Sequence, residues 1–200
     1  MKILMTTDTV GGIWNYAVQL SRALARHDAT VILAAMGGPL SPAQREDVRG
    51  CGSVRVIEGG FRLEWMPEPW ADVAAAGEWL LAIERAESPD VVHLNGYAHG
   101  ALPWRAPVLV AGHSCVLSWW RAVHGCDAPA GWSRYTAAVT AGLHAADVVV
   151  APTRAMLDAL VDHYGALPRA LVVPNGHDGE ALPLGARDAF GRYGGAARLP

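Results

Sequence analysis

Short apolar runs alternate with amphipathic stretches along nearly the whole 200-residue chain. Seven of these runs are continuous rather than alternating in polarity, which is typical of strands that are covered on both faces of a sheet. The predicted strands are Lys2–Thr6, Thr30–Met36, Val54–Glu58, Asp90–Leu94, Pro107–Ala111, Asp147–Ala151 and Ala170–Val173.

Three of the intervening stretches have the period of an amphipathic helix, namely Ile13–Arg26, Ala71–Glu87 and Thr153–Tyr164. In the first, Ile13 and Leu20 fall on one stripe while charged and amide side chains fall on the opposite one. Strand–helix alternation with short joints predicts parallel strand pairs that are linked by right-handed crossovers. The expected fold is therefore α/β, with a single Rossmann-like, doubly wound parallel sheet of about seven strands.

Two stretches interrupt this alternation. Phe61–Trp70 combines aromatic residues with two prolines, which predicts an irregular excursion with a short extra hairpin. Ser114–Trp132 is also expected to be irregular and holds three tryptophans. It follows the carboxyl end of a predicted strand, where open α/β sheets bind their ligands. Its tryptophans either line a pocket or pack within the protein, and the sequence leaves both interpretations open.

Charge and hydropathy exclude two classes of protein. The 16 basic and 19 acidic residues give a net charge of −3, without the basic surface that nucleic-acid binding requires. The longest unbroken apolar run is Val31–Met36, far shorter than the roughly 20 residues of a membrane-spanning helix. The sequence therefore predicts neither a nucleic-acid partner nor a transmembrane segment.

The cysteines and lysines narrow the chemistry further. Cys51, Cys115 and Cys126 are odd in number and lack C-x-x-C spacing, which favours the cytoplasm over a disulfide framework or a zinc–thiolate site. Lys2, in the first predicted strand, is the only lysine. The sequence therefore has no lysine for a P-loop and none for a Schiff base with pyridoxal phosphate.

A glycine pair, Gly11 and Gly12, lies between the first predicted strand and the first helix. Such a turn lets the backbone approach a phosphate or sugar and directs N–H groups and the helix dipole toward it. The alternative is that the two glycines only tighten the turn. Because the motif G-x-G-x-x-G is absent and no acidic residue ends the second strand, the sequence does not favour NAD binding.

The eight histidines show no metal-ligand spacing, so no metal site is predicted. His113 lies just past the end of the fifth predicted strand, on the edge that faces the ligand crevice in open α/β sheets. It is the candidate catalytic residue, and the alternative is a structural or solvated histidine. A hydrolase that uses His113 and Ser114 is the least favoured class, because no G-x-S-x-G motif is present.

Five segments, taken in order, resemble the N-terminal domain of family-4 retaining glycosyltransferases of the GT-B fold. They are GGIWNYAVQLSRALA, DVVHLNGYAHG, PVLVAGHSCVLSWW, ADVVVAPTRAMLDAL and LVVPNGHD. The resemblance implies a Rossmann-like N-terminal domain over residues 1–180. Residues 181–200, with a weakly helical segment at Gly185–Tyr193, are then expected to be a linker and the start of a missing C-terminal domain.

The resemblance also implies an activity: transfer of a hexosyl group from a nucleotide-sugar donor, with retention and without a cofactor or an essential metal. In that family the C-terminal domain holds the nucleotide-sugar, so this chain is expected to be inactive alone. Gly11 and Gly12 are expected to approach the donor's phosphates and sugar, and His113 to face the reacting centre. The turn that ends the domain matches at Asn175, Gly176 and Asp178.

Aromatic faces and side-chain amides commonly bind sugars, which gives five expected residues of the acceptor cleft: Asn15, Asn95, Tyr97, Trp119 and Trp120. Arg154, at the start of a helix after the sixth predicted strand, is the sixth. Arg154 either meets an anionic acceptor or is a solvated surface residue. The sequence does not decide whether the acceptor is a glycan, a lipid or a small alcohol. Expected partners are the C-terminal domain and a second copy of the chain, bound through the exposed cleft or linker surface. The alternative function is a self-sufficient α/β module that binds a nucleotide or metabolite without catalysis.

Overall fold

The seven predicted strands are all present in the computed structural model, which describes residues 1–176. They are β1 (Lys2–Asp8), β2 (Thr30–Met36), β3 (Val54–Glu58), β4 (Val91–Leu94), β5 (Val108–Ala111), β6 (Val148–Ala151) and β7 (Ala170–Val172). The expected domain boundary at residue 180, the linker at 181–200, the segment Gly185–Tyr193 and Asp178 lie outside the described residues.

All neighbouring strands pair in parallel, in the order β3-β2-β1-β4-β5-β6-β7. β1 is an interior strand, since Met5 aligns with Leu33 of β2 on one side and with His93 of β4 on the other. The chain adds β2 and β3 on one side of β1 and then returns to add β4 to β7 on the other. The predicted doubly wound sheet is confirmed, and its topological switch point lies between β1 and β4.

Helices cover both faces of the sheet. The α-helices are α1 (Ile13–Ala25), α2 (Pro42–Val48), α3 (Trp70–Glu87), α4 (Val116–His124), α5 (Ser133–Ala145) and α6 (Arg154–Tyr164). A first 3₁₀ helix lies at Ala98–Ala101 and a second at Ala130–Trp132. The three predicted helices are confirmed as α1, α3 and α6, and the structure adds α2, α4 and α5.

Both stretches expected to be irregular are corrected. Ser114–Trp132 contains α4 and the second 3₁₀ helix, and α4 ends at Gly125, where φ is 68° and a side chain would be strained. The extra hairpin in Phe61–Trp70 is wrong, because this fully described segment forms turns and no strand before α3 begins. Prolines lack an N–H for a strand ladder, and Pro67 and Pro69 both lie here.

Two apolar layers hold the sheet between its helices. On one face, Leu4 and Val92 pack with Leu80 of α3, Val139 of α5 and Leu160 of α6. The other face packs mainly against α1 through Met5, Leu33, Trp14, Ala17 and Val18. Burial of both faces explains why the strands are apolar at successive positions.

Helix α5 passes unusually close to the backbone that follows β4. A Cβ atom on Gly142 would overlap the carbonyl oxygen of Tyr97, and one on Gly100 would overlap the carbonyl oxygen of Gly142. Only glycine at these two positions allows α5 and the first 3₁₀ helix to touch. The contact places Tyr97 at the carboxyl edge of the sheet.

Candidate functional site

A cleft of about 480 Å³ opens at the carboxyl ends of β1, β4 and β5. Its floor is polar: Thr7 and Asp8 end β1, Asn95 follows β4, and His113 and Ser114 follow β5. The cleft therefore lies at the switch point of the sheet, where ligands bind in open α/β folds.

Asn95 connects the ends of three strands. Its backbone N–H donates to Thr6 Oγ1 at 2.8 Å, and its side-chain Nδ2 donates to the Thr6 carbonyl at 2.7 Å. A carbonyl can only accept, so the amide orientation is fixed and Asn95 Oδ1 must accept the 2.9 Å hydrogen bond from His113 Nε2. His113 therefore carries its proton on Nε2, and its Nδ1 is left as an acceptor.

His113 in the cleft and His93 of β4 nearby are both held neutral. Burial, with a contribution from the neighbouring His113, lowers the pKa of His93 to about 4. Burial also lowers the pKa of His113 to about 4, while Asp8 acts in the opposite direction. His93 Nε2 is buried and makes no hydrogen bond with the described part of the chain. At pH 7 His93 and His113 are thus both uncharged.

The glycine turn lies beside the cleft. Asp8 Oδ1 accepts hydrogen bonds from the backbone N–H of Val10 at 3.1 Å and of Gly11 at 2.9 Å. A Cβ on Gly12 would meet nothing within 4 Å, so the backbone there is open to a large ligand. Asp8 and Ile13 line the cleft, whereas the two glycines between them do not.

The cleft also contains a buried carboxylate that the sequence analysis missed. Glu64 lies between β3 and α3 and is only 8% exposed. It accepts hydrogen bonds from the backbone N–H of Tyr97 at 3.0 Å and of Ala98 at 2.7 Å. Burial raises the pKa of Glu64, and these two hydrogen bonds oppose the rise. Glu64 thereby attaches one wall of the cleft to the backbone that follows β4.

The walls are mainly apolar and aromatic. Trp65 precedes α3 and is 43% exposed, while Trp119 of α4 is 55% exposed. Trp132 is half-buried, and Leu63 and Val116 complete the apolar lining. Part of the tryptophan-rich stretch after β5 therefore lines a pocket.

Three of the six expected acceptor residues, Asn95, Tyr97 and Trp119, line the cleft together with His113. Tyr97 is buried, and its hydroxyl donates to the carbonyl of Ser114 at 2.8 Å. The remaining expected residues in the described part of the chain lie outside the lining: Gly11, Gly12, Asn15, Trp120, Arg154, Asn175 and Gly176.

Residues 1–176 contain no group of three or more His, Cys, Asp or Glu side chains that could hold a metal ion. Over the same range, no helix has both the length and the apolar character needed to cross a membrane. Cys51, Cys115 and Cys126 are free thiols.

Residues 10–180 match the family model described as Glycosyltransferase Family 4. The chain belongs to this family. The match covers more than half of the sequence and includes every strand and helix described above except β1, which ends at Asp8. No curated protein matches the sequence.

Solved structures share the fold of this family-4 chain. Sucrose-phosphate synthase from Thermosynechococcus elongatus gives a TM-score of 0.63 at 17% identity, over 88% of this chain and 48% of that one. UGT89C1 from Arabidopsis thaliana, complexed with quercetin, gives 0.58 at 11% identity, over 94% and 54% of the two chains. A UGT transferase from Siraitia grosvenorii in complex with UDP gives 0.51 at 14% identity, over 88% and 50%.

The chain thus spans about half the length of these three structures. At such low identity the likeness concerns the fold, whereas the family assignment rests on the sequence match. Together they confirm the expected Rossmann-like, N-terminal-type domain of a family-4 GT-B glycosyltransferase.

Proposed function

We propose that this family-4 chain is the acceptor-side half of a retaining hexosyltransferase, which moves a sugar from a nucleotide-sugar to a hydroxyl-bearing acceptor. The observation that carries the proposal is a neutral His113, held by Asn95 at the switch point, with Nδ1 left as an acceptor. The complex of the Siraitia grosvenorii enzyme with UDP supports a nucleoside diphosphate as the leaving group.

A neutral imidazole can bind a hydroxyl but cannot neutralise an anion. Its unprotonated Nδ1 accepts a hydrogen bond, so His113 would orient a hydroxyl of the transferred sugar or of the acceptor. Gly11 and Gly12 would lie near the donor's phosphates, where the open backbone allows a close approach.

The charges in the cleft support the proposal that the chain is inactive alone. A departing diphosphate must be stabilised by positive groups or N–H dipoles. Within residues 1–176, Arg62 is the only arginine or lysine of the lining, and it is paired with Asp72 at 3.6 Å. Asp8, next to the glycine turn, is negative. We infer that a C-terminal domain supplies the cationic half of the site.

Two measurements test this function. His113→Ala in the full-length enzyme is expected to lower turnover at least about tenfold, which is roughly 1.4 kcal/mol of transition-state stabilisation. The isolated chain is expected to bind UDP-glucose with a dissociation constant weaker than about 1 mM in calorimetry. A smaller loss of turnover would remove His113 from the mechanism. Micromolar binding by the chain alone would favour the self-sufficient nucleotide-binding module instead.

A cytoplasmic location and a homodimer belong to the same proposal. Three free thiols support a reducing compartment. Leu171 and Val173, at the β7 edge of the sheet, are 58% and 53% exposed, which supports self-association there. Light scattering that shows a monomer at high protein concentration would contradict the dimer.

A further inference from the structure

The polar groups of the cleft that a ligand can use lie mainly on its floor. Hydroxyl, amide and imidazole groups stand there at the ends of β1, β4 and β5. Glu64, His99 and Tyr135 also belong to the lining, and each is already hydrogen-bonded to backbone groups of the protein. The walls rise from segments on either side of that floor. Trp65 belongs to the segment that follows β3, and Trp119 and Val116 belong to α4 after β5. In the sheet order, β3 and β5 lie on opposite sides of β1, so the two tryptophans reach the cleft on segments that leave opposite sides of that strand.

The charges in this cleft do not suit an anion. Among its described lining residues the cationic side chain is Arg62, and its guanidinium is already engaged. Arg62 donates to the carbonyl of Pro67 at 3.1 Å and pairs with Asp72 at 3.6 Å. Asp8 and Glu64 place two carboxyl groups in the same lining. A phosphate or sulfate would therefore enter without a cation to receive it, at a high desolvation cost.

The walls also do not suit an acceptor that is polar on all sides. A sugar presents hydroxyls around its whole rim, and those facing Leu63 and Val116 would lose water without gaining partners. A flat apolar body instead gains from both tryptophan faces, each of which offers a large rigid surface. The volume of about 480 Å³ lies within the usual range for small-molecule sites.

We propose that the acceptor is a neutral small molecule with a flat apolar body between Trp65 and Trp119 and one hydroxyl on the polar floor beside His113. The cleft discriminates against phosphorylated, sulfated and purely carbohydrate acceptors. Identifying this ligand as the acceptor rests on the proposed function, but the binding preference itself is a property of this chain.

Calorimetric titration of the chain at pH 7.5 tests the preference with three probes. Resveratrol is a neutral flat phenol, resveratrol 3-sulfate is the same body with a negative charge, and maltose is a neutral sugar. Resveratrol is expected to bind at least about tenfold more tightly than either of the others, a difference of roughly 1.4 kcal/mol.

Three variants locate the binding. Trp119→Ala is expected to weaken resveratrol binding about tenfold, because one aromatic wall is lost. Val123→Ala, on the same helix and 56% exposed but outside the lining, is the matched control and is expected to change nothing. Asp72→Asn releases Arg62 and is expected to strengthen binding of resveratrol 3-sulfate severalfold while leaving resveratrol unaffected.

The inference is overturned if the sulfate or maltose binds as tightly as resveratrol, if resveratrol does not bind, or if Trp119→Ala and Val123→Ala behave alike. None of these measurements needs a donor or turnover. Sugar transfer to an anionic acceptor by the full-length enzyme would overturn the inference and keep the proposed function. Resveratrol binding as expected, with no transfer by the full-length enzyme from any nucleotide-sugar, would keep the inference and overturn the proposed function.

Discussion

The ring of Tyr16 lies edge-on to the imidazole of His113, with 4.4 Å between the ring centroids. Tyr16 belongs to α1, the helix that follows the glycine turn, so the same helix that carries that turn also shields the histidine from water. Burial raises the pKa of Tyr16, which keeps its hydroxyl neutral. Because His113 Nε2 also donates a hydrogen bond to Asn95 Oδ1, the imidazole is fixed in orientation, tautomer and charge.

Asn95→Asp is expected to raise the pKa of His113 from about 4 by roughly one to three pH units, because a carboxylate beside Nε2 stabilises the imidazolium. NMR titration of the His113 ring resonances measures this directly. Gln19→Glu on the exposed side of α1 adds the same charge away from the cleft and is the matched control. A His113 pKa that stays near 4 in Asn95→Asp would contradict the assigned hydrogen bond.

Glu64→Ala is expected to lower the free energy of unfolding by roughly 2–4 kcal/mol, because the N–H groups of Tyr97 and Ala98 lose their acceptor. Glu64→Gln keeps one carbonyl oxygen and is expected to lose less. Urea unfolding at pH 7.5 measures both. As a control, Glu46→Ala removes only an exposed pair with Arg49 and is expected to cost less than about 0.5 kcal/mol. Equal losses at Glu64 and Glu46 would show that the buried carboxylate does not hold the wall.

The stability of the chain is expected to fall on acidification because of His93 and His113. Their pKa values are about 4 in the folded state, below the ordinary 6.5, so between pH 6.5 and 4 the unfolded chain binds protons that the folded chain excludes. This contribution is fully present above pH 6.5. It is lost as the pH falls, with a slope of up to about 1.4 kcal/mol per pH unit for each histidine.

Urea unfolding of the original chain and of His93→Gln at pH 7.5, 6 and 5 checks this slope. The other titrating groups are common to both proteins and cancel in the comparison. We expect a shallower fall in His93→Gln, whatever its stability at pH 7.5. Parallel pH profiles for the two proteins would show that His93 is not buried in its neutral form.

Gly142→Ala is expected to destabilise the chain by roughly 3 kcal/mol or more, because the added methyl group overlaps the Tyr97 carbonyl and forces α5 away from the first 3₁₀ helix. Gly131→Ala is the matched control, since a Cβ there meets nothing within 4 Å. Its effect is expected to stay within about 0.5 kcal/mol. Thermal unfolding followed by circular dichroism separates the two variants, and similar melting temperatures would refute the close approach.

The sheet could be predicted from the sequence because burial on both faces leaves a signal at every strand position, as in Thr30–Met36. Helices α2 and α5 leave no comparable signal. α2 has seven residues, none of them buried, and is stabilised by a capping box between Ser41 and Gln44. In α5, the residue that packs closest is Gly142, whose missing side chain cannot appear in a hydrophobic pattern.

The site residues that could be predicted from the sequence are those placed by the order of the strands alone. Asn95 and His113 follow parallel strands, so the topology brings them to one edge of the sheet whatever the loops do. Glu64 could not be found in this way. Its partners are backbone N–H groups more than 30 residues away, and a glutamate between Leu63 and Trp65 reads the same in sequence whether it is solvated or buried.

The hydrogen bonds from Val10 and Gly11 to Asp8 have a consequence for donor entry. If a diphosphate is to accept a hydrogen bond from the Gly11 amide, it must displace the Asp8 carboxylate that accepts this bond now, because the two anions repel each other. The Asp8 side chain would then leave its present place. The electrostatic interaction by which Asp8 raises the pKa of His113 would be lost. Under the proposed function, arrival of a nucleotide-sugar at this amide would therefore also change the electric field at the imidazole.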